Sequence, residues 1–255
     1  MVARTVDRGI HLLRLARPPV NALDPALCRA LRAAVEAALA EGAEGLVLAG
    51  GPKVFSAGLD VPHLVSLGDD RHALRAAWED FFAAARALAG SPVPVAAAIA
   101  GHAPAGGCVL ALCCDRRVMA RAPEPERPFL IGLNETRVGL AVPAGIADLL
   151  RRTVGARPAE RLLVSGDMLD SDAALAAGLV DEVAGADDTL PRAVAWLRDL
   201  LQLPRQPMLD TRALLRADLV QALSPQRLAL DGFLDQWRHP DTQAALHALV
   251  ARLGK

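Results

Sequence analysis

The strongest constraint on the fold is an apolar strand that runs straight into a glycine pair and then into a second apolar run. Val93 to Ala100 carries no charge. It turns through Gly101-His102-Ala103-Pro104-Ala105-Gly106-Gly107-Cys108 and continues as Val109-Leu110-Ala111-Leu112. This pattern predicts a buried strand, a tight turn and a buried helix, with glycines that let another group approach the backbone. Downstream, Glu135 is a lone carboxylate in the segment Ile131-Gly132-Leu133-Asn134-Glu135-Thr136. The neighbours Ile131, Leu133, Val138 and Leu140 predict partial burial and a raised pKa for it, against the ordinary reading of a solvated capping acid.

Around this stretch the chain alternates strands and helices. Val2–Val6 and Ile10–Leu15 read as two short strands. Asp24-Pro25 is a helix start, with Asp24 as cap, and Leu27, Leu31, Val35 and Leu39 mark the buried stripe of a helix reaching about Ala40. Leu46–Ala49 predicts a buried strand, Asp70–Leu88 a helix, and Val118–Ala120 another strand. Further helices are expected over Pro143–Thr153, Pro158–Val164 and Ser171–Ala176, the last capped by Ser171, followed by a strand within Gly178–Val183. From Leu190 the pattern is only helical: Leu190–Leu201, Pro207–Leu223, Pro225–Arg238 and Pro240–Leu253. The grammar is α/β with a helical last third.

Composition narrows the class. A chain of 255 residues with 53% hydrophobic and 22% charged residues buries a sizeable core and is not disordered. A net charge of -1 with mixed signs argues against a nucleic-acid surface. The first eight residues lack the apolar core of a secretory signal, and no uncharged apolar run approaches the ~18 residues of a membrane span. Four cysteines, Cys28, Cys108, Cys113 and Cys114, have no metal-binding spacing and are too few for a disulfide framework. The expectation is a soluble, cytoplasmic protein of a reducing compartment, bound to neither nucleic acid nor membrane.

Two motifs then carry a resemblance. Phe55-Ser56-Ala57-Gly58-Leu59-Asp60, followed by Pro104-Ala105-Gly106-Gly107-Cys108, is similar to the paired signature of the crotonase (enoyl-CoA hydratase/isomerase) superfamily. Asn21-Ala22-Leu23, Gly178-Leu179-Val180-Asp181 and the helical tail extend the likeness over essentially the whole chain. The segment around Glu135, with Val138-Gly139, resembles the mitochondrial-type 3,2-trans-enoyl-CoA isomerase branch. The resemblance implies a ClpP/crotonase-like spiral of β-β-α turns in residues 1–188, carrying an acyl-CoA site. It also implies that residues 189–255 form a helical region that builds a homotrimer or a dimer of trimers.

By the same resemblance, the backbone N–H groups of Leu59 and Gly106 form an oxyanion hole. Ala22, Leu23, Ser56, Ala57, Gly58, Leu59, Gly106 and Val109 meet the CoA thioester, and no cofactor or metal is implied beyond that substrate. The chemistry fits these settings. Loss of the alpha proton of a thioester places negative charge on its carbonyl oxygen, which two convergent N–H donors stabilise. Gly106 stands where a helix begins, so the helix dipole adds to its N–H. The hydratases of the superfamily use two glutamates; one aligns with Glu135 and the other with Val109, which can move no proton. One carboxylate suffices to take a proton from C2 and return it to C4, so the residues favour isomerisation. Hydration or thioester hydrolysis through Glu135 and a further group, and non-catalytic acyl-CoA binding, are the alternatives. His63 and His102 lie near the motifs, Asp60 reads as a turn-stabilising acid, and Trp78, Phe81 and Phe82 as core or pocket wall.

Overall fold

In the computed structural model, which describes residues 1–254, a six-stranded sheet runs in the order β1-β2-β3-β4-β6-β8. The strands are β1 (Val2–Asp7), β2 (Ile10–Leu15), β3 (Gly45–Ala49), β4 (Val95–Ile99), β6 (Arg116–Ala120) and β8 (Glu182–Ala184). β1 and β2 form an antiparallel hairpin, and every later pairing is parallel. Both faces are buried, which explains why β3 and β4 are apolar throughout. Alternation sorts their side chains. Leu46, Leu48, Val95, Ala97 and Ile99 join the main core, and Val47, Ala49, Ala96 and Ala98 face the other way.

The large core is filled by α1 (Pro25–Ala40), α3 (Arg71–Ala89) and α4 (Gly106–Leu112). Asp24 caps α1, accepting from the Leu27 N–H at 2.7 Å, and Asp70 caps α3, accepting from the Ala73 N–H at 2.9 Å. The opposite face is covered by α8 (Thr189–Leu200), whose Ala193 and Leu197 pack on Ile10, Val47 and Ala98. Residue 189 therefore opens a helix that belongs to the sheet.

A second, narrow strip stands beside the main sheet. It contains β5 (Ala103–Pro104) paired in parallel with β7 (Ile131–Gly132), and the bridges Leu23–Leu59, Val54–His102 and Ile131–Leu169 extend it. Each turn of the chain thus gives one strand to the sheet and one extended segment to the strip. β3 leads to Val54 and Leu59, β4 to β5, and β6 to β7. This is the α/β spiral that the resemblance implies. The remaining helices are α2 (Val61–Ser66), α5 (Ala144–Val154), α6 (Ala156–Ser165), α7 (Ser171–Ala176), α9 (Arg205–Ala222), α10 (Pro225–Leu228), α11 (Leu230–Trp237) and α12 (Pro240–Arg252).

Two expectations are corrected. The cap of α7 is Asp170, which accepts from the Ala173 N–H at 2.8 Å; Ser171 is the first helical residue. The helix expected over Pro225–Arg238 is two helices, divided at Ala229 with φ 45°. The break lets Leu228 bury toward α5 while Phe233 turns to Trp78 on α3, with ring centroids 4.6 Å apart.

The C-terminal region is fastened to the spiral by one carboxylate. Asp115 follows α4 and accepts from the Val95 N–H at 2.8 Å. It also takes two bonds from Arg212 of α9, at 2.9 and 2.8 Å, and one from Arg216 at 2.9 Å. Arg216 donates onward to the carbonyls of Cys113 and Ala89. All three side chains are nearly buried, at 9 to 13% exposure. Removing one partner of such a set leaves charge unpaired out of water. Asp115→Ala is therefore expected to lower unfolding free energy by about 3–5 kcal/mol, read as a lower urea midpoint. A change below about 1 kcal/mol, the value typical of an exposed pair, would show that the cluster does not hold α9.

Candidate active site

The loop after β3 is built on Asn21. Its Nδ2 donates to the Phe55 carbonyl at 3.1 Å, and its own carbonyl accepts from Ser56 Oγ at 2.8 Å. Ser56 Oγ in turn accepts from the Gly58 N–H at 3.2 Å. The Leu23 N–H then donates to the Gly58 carbonyl at 2.8 Å, and the Asp60 N–H to the Leu23 carbonyl at 3.2 Å. These bonds use the groups on either side of the Leu59 N–H and leave that N–H without an acceptor among the described residues. Gly58 has φ +81°, and a Cβ there would stand 3.1 Å from Ala105 Cβ and 3.2 Å from Gly106 N. A Cβ at Gly107 would stand 2.6 Å from the Ser56 carbonyl. The two motifs therefore meet backbone to backbone, a contact that only glycine permits.

Ala105 precedes α4 with φ 46° and ψ −118°, a conformation that costs a non-glycine residue about 1–3 kcal/mol. It is held there by its N–H, which donates to the Gly132 carbonyl at 2.8 Å. The turn makes Gly106 the first residue of α4, and its N–H also has no acceptor among the described residues. Two unspent backbone donors thus stand on adjoining loops at the edge of one cavity.

That cavity has a volume of about 390 Å³. Ala22, Ala57, Leu59, Gly106, Val109 and Glu135 all line it, with Trp78, Phe81 and Phe82 in the wall. Glu135 opens a one-turn 3-10 helix, Glu135–Val138. Its Oε2 is buried and has no hydrogen-bond partner among the described residues. Burial pushes the carboxyl up to about 7, against the opposing hydrogen bond from its own backbone N–H. Asp60 also borders the cavity, but it pairs with Arg17 at 2.7 Å and caps α2 by accepting from the His63 N–H at 3.1 Å. Arg137 turns away from Glu135, donating to the Ser165 carbonyl at 3.0 Å and pairing with Asp167.

Three expected contact residues stand behind the wall. Leu23, Ser56 and Gly58 do not line the cavity; Ser56 is wholly buried, and its hydroxyl is spent on the loop. These three shape the wall and leave its surface to their neighbours. Neither His63 nor His102 lines the cavity. The His102 ring accepts from the Leu130 N–H at 3.1 Å and packs edge-on against Phe129. The four cysteines are free and buried, and no cluster of His, Cys, Asp or Glu among the described residues could hold a metal.

Residues from the tail complete the site. Phe233 of α11, Leu249 of α12 and Leu253 just beyond it line the same cavity, as does Asn134. The four-residue spacing of Leu249 and Leu253 was a visible signal of one apolar face, but periodicity does not say which surface such a face meets.

The model of the family described as Enoyl-CoA hydratase/isomerase matches residues 5–250. The mouse mitochondrial enoyl-CoA delta isomerase 1 is 32% identical over 248 residues, spanning 96% of this chain and 84% of that protein. A probable enoyl-CoA hydratase of Mycobacterium avium (strain 104) is 36% identical over 210 residues, spanning 81% and 78%. The crystal structure of human mitochondrial delta3-delta2-enoyl-CoA isomerase superposes with a TM-score of 0.92 at 30% identity, covering 99% of this chain and 98% of that one.

The raised carboxyl gives a stability signature with a definite sign. Unfolded, Glu135 titrates near the ordinary 4.5; folded, near 7. Between those values the folded protein holds a proton that the unfolded chain has released, so the contribution to stability is lost as pH rises toward 7. Glu135→Gln has no charge to bury. It is expected to exceed the parent in stability by about 1–3 kcal/mol at pH 8.5 and to match it at pH 4, read by parallel urea melts. An equal difference at both pH values would contradict a raised Glu135.

Proposed function

Because the chain belongs to the enoyl-CoA hydratase/isomerase family, we propose that it is an enoyl-CoA isomerase that moves a cis or trans 3-double bond of a fatty acyl-CoA to the trans-2 position. The observation that carries this reading is a single carboxyl, Glu135, free of ion pairing in an apolar cavity, with Val109 where a second proton-moving group would stand.

In this reading the thioester oxygen lies between the N–H groups of Leu59 and Gly106. Ionised Glu135 removes a proton from C2. The C2–H electron pair forms the C1=C2 bond of a dienolate as the carbonyl pair moves onto oxygen. When that pair returns, C1=C2 shifts to C2=C3 and the C3=C4 pair takes the proton back at C4. Charge passes through the dienolate oxygen, where the two N–H donors stabilise it; removing one such donor costs about 10²–10³ in rate. A base with a pKa near 7 is matched to a proton that it must both take and return. No cofactor enters this scheme, since the thioester and the two donors supply the electron sink.

The wider reading includes a homotrimer or dimer of trimers. Leu214 and Leu215 of α9 are 76% and 62% exposed, an apolar face of the kind that a second copy would cover. Four free, buried cysteines suit a reducing, cytoplasmic setting. No helix among the described residues is long and apolar enough to cross a membrane.

The test is incubation with 3-enoyl-CoA and 2-enoyl-CoA separately. Isomerisation without hydration is expected. Water addition at a comparable rate would make the protein a hydratase, release of free CoA a thioester hydrolase, and binding without turnover a non-catalytic acyl-CoA protein. Glu135→Gln should lower kcat by about 10²–10⁴ with acyl-CoA affinity unchanged by calorimetry. In the parent, kcat/KM should rise with pH through about 7, as the base ionises. A flat profile from pH 5 to 9 would assign the proton transfer elsewhere.

A further inference from the structure

The carboxyl of Glu135 is aimed by its backbone, since among the described residues Oε2 has no hydrogen-bond partner and the bond that opposes its burial comes from its own N–H. What fixes the backbone therefore fixes the carboxyl. The one-turn helix is tied on one side to α6: Thr136 Oγ1 donates to the Leu163 carbonyl at 3.2 Å, and Arg137 donates to the Ser165 carbonyl. Its exit is tied by another element. The Leu140 N–H returns to the Glu135 carbonyl at 2.9 Å, and Gly139 leaves the turn with φ +82°. The Gly139 carbonyl accepts a hydrogen bond from Thr242 Oγ1, in the first turn of α12, at 2.8 Å. A Cβ at Gly139 would stand 2.4 Å from Ala245 Cβ, so α12 rests directly on the exit of the turn.

We infer that Thr242 is a positioning residue for Glu135: by holding the Gly139 carbonyl, its hydroxyl locks the turn that presents the carboxyl to the cavity. A threonine inside a helix ordinarily spends its hydroxyl on its own helix's backbone. This one is spent on a different element, at a carbonyl four residues past Glu135 and 103 residues before Thr242 in the chain. The same helix continues to Leu249 in the cavity wall, so the element that closes the site also sets its base. The ionisable groups on the surrounding elements are accounted for. Asp60 is paired with Arg17, Arg137 is turned to α6, His247 of α12 bonds the Gln243 carbonyl, and burial holds the Cys108 thiol on α4 neutral.

The inference rests on the isomerase reading for its kinetic arm only. Thr242→Val keeps the shape and deletes the donor; Thr242→Ser keeps the donor. Two quantities are read in the full-length protein. The first is kcat against KM for 3-enoyl-CoA. The second is the titration of the Glu135 carboxyl by infrared difference spectroscopy, identified as the band missing from Glu135→Gln. Valine is expected to lower kcat about tenfold with KM nearly unchanged, since small misplacement of a reacting group is costly in rate. It should also move the carboxyl midpoint down from about 7, as water reaches a loosened turn. Serine should restore both. A lower melting temperature with unmoved kcat and midpoint would make Thr242 a structural residue and overturn the inference. If the valine variant does not fold, serine decides: parental kcat and midpoint support the inference, and loss of either overturns it. If the parent does not isomerise, the functional reading fails while the infrared titration still decides the role of Thr242.

Discussion

Everything in the site depends on two loops that approach each other without side chains between them. Gly107 faces the Ser56 carbonyl where a Cβ would collide, and Gly58, at positive φ, faces Ala105 and Gly106 where a Cβ would be crowded. That contact fixes the Leu59 and Gly106 N–H groups on one cavity edge, with no acceptor for either among the described residues. Unpaired backbone donors are costly to leave unmade. The cost is sustained because each loop leaves a buried parallel strand, β3 or β4, whose register the sheet determines. The rigid layer carries the strained one. Ala105, in a backbone region that favours glycine, is one visible sign of that strain.

Around those donors the electrostatics are sparse. Two carboxylates border the cavity, and the fold treats them oppositely. Asp60 is given a guanidinium partner and a capping bond at a helix N-terminus. Glu135 is given burial, which leaves the charged form poorly solvated and which its own amide offsets only in part. Two carboxyl side chains on the same apolar wall are thus held differently, one by an ion pair and a cap and the other by burial.

Much of the architecture was legible because its signals are local. Asp24 announced α1 through cap chemistry, the apolar points over Asp70–Leu88 announced α3, and the uncharged runs of β3 and β4 announced buried strands. Glu135 stood out because apolar neighbours surround it in sequence as well as in space. What the sequence hid is what depends on direction. Ser56 sits inside a motif, yet its hydroxyl points into the loop, because the Asn21 carbonyl competes for it. Ala229 carries no breaker chemistry, and its left-handed backbone reflects the two different surfaces that Leu228 and Phe233 reach. The helical tail was legible as helix, but its leucines did not reveal that their partner was the chain's own cavity.

The tail's place in the wall has a consequence for biosynthesis. A chain emerging from the ribosome completes its parallel strands, both glycine motifs and the Glu135 turn well before α12 exists. Until Leu249 and Leu253 are made, that side of the cavity lacks part of its lining. Those residues are translated well after Glu135, so the wall around that carboxyl is completed only after the strands of the sheet have been made.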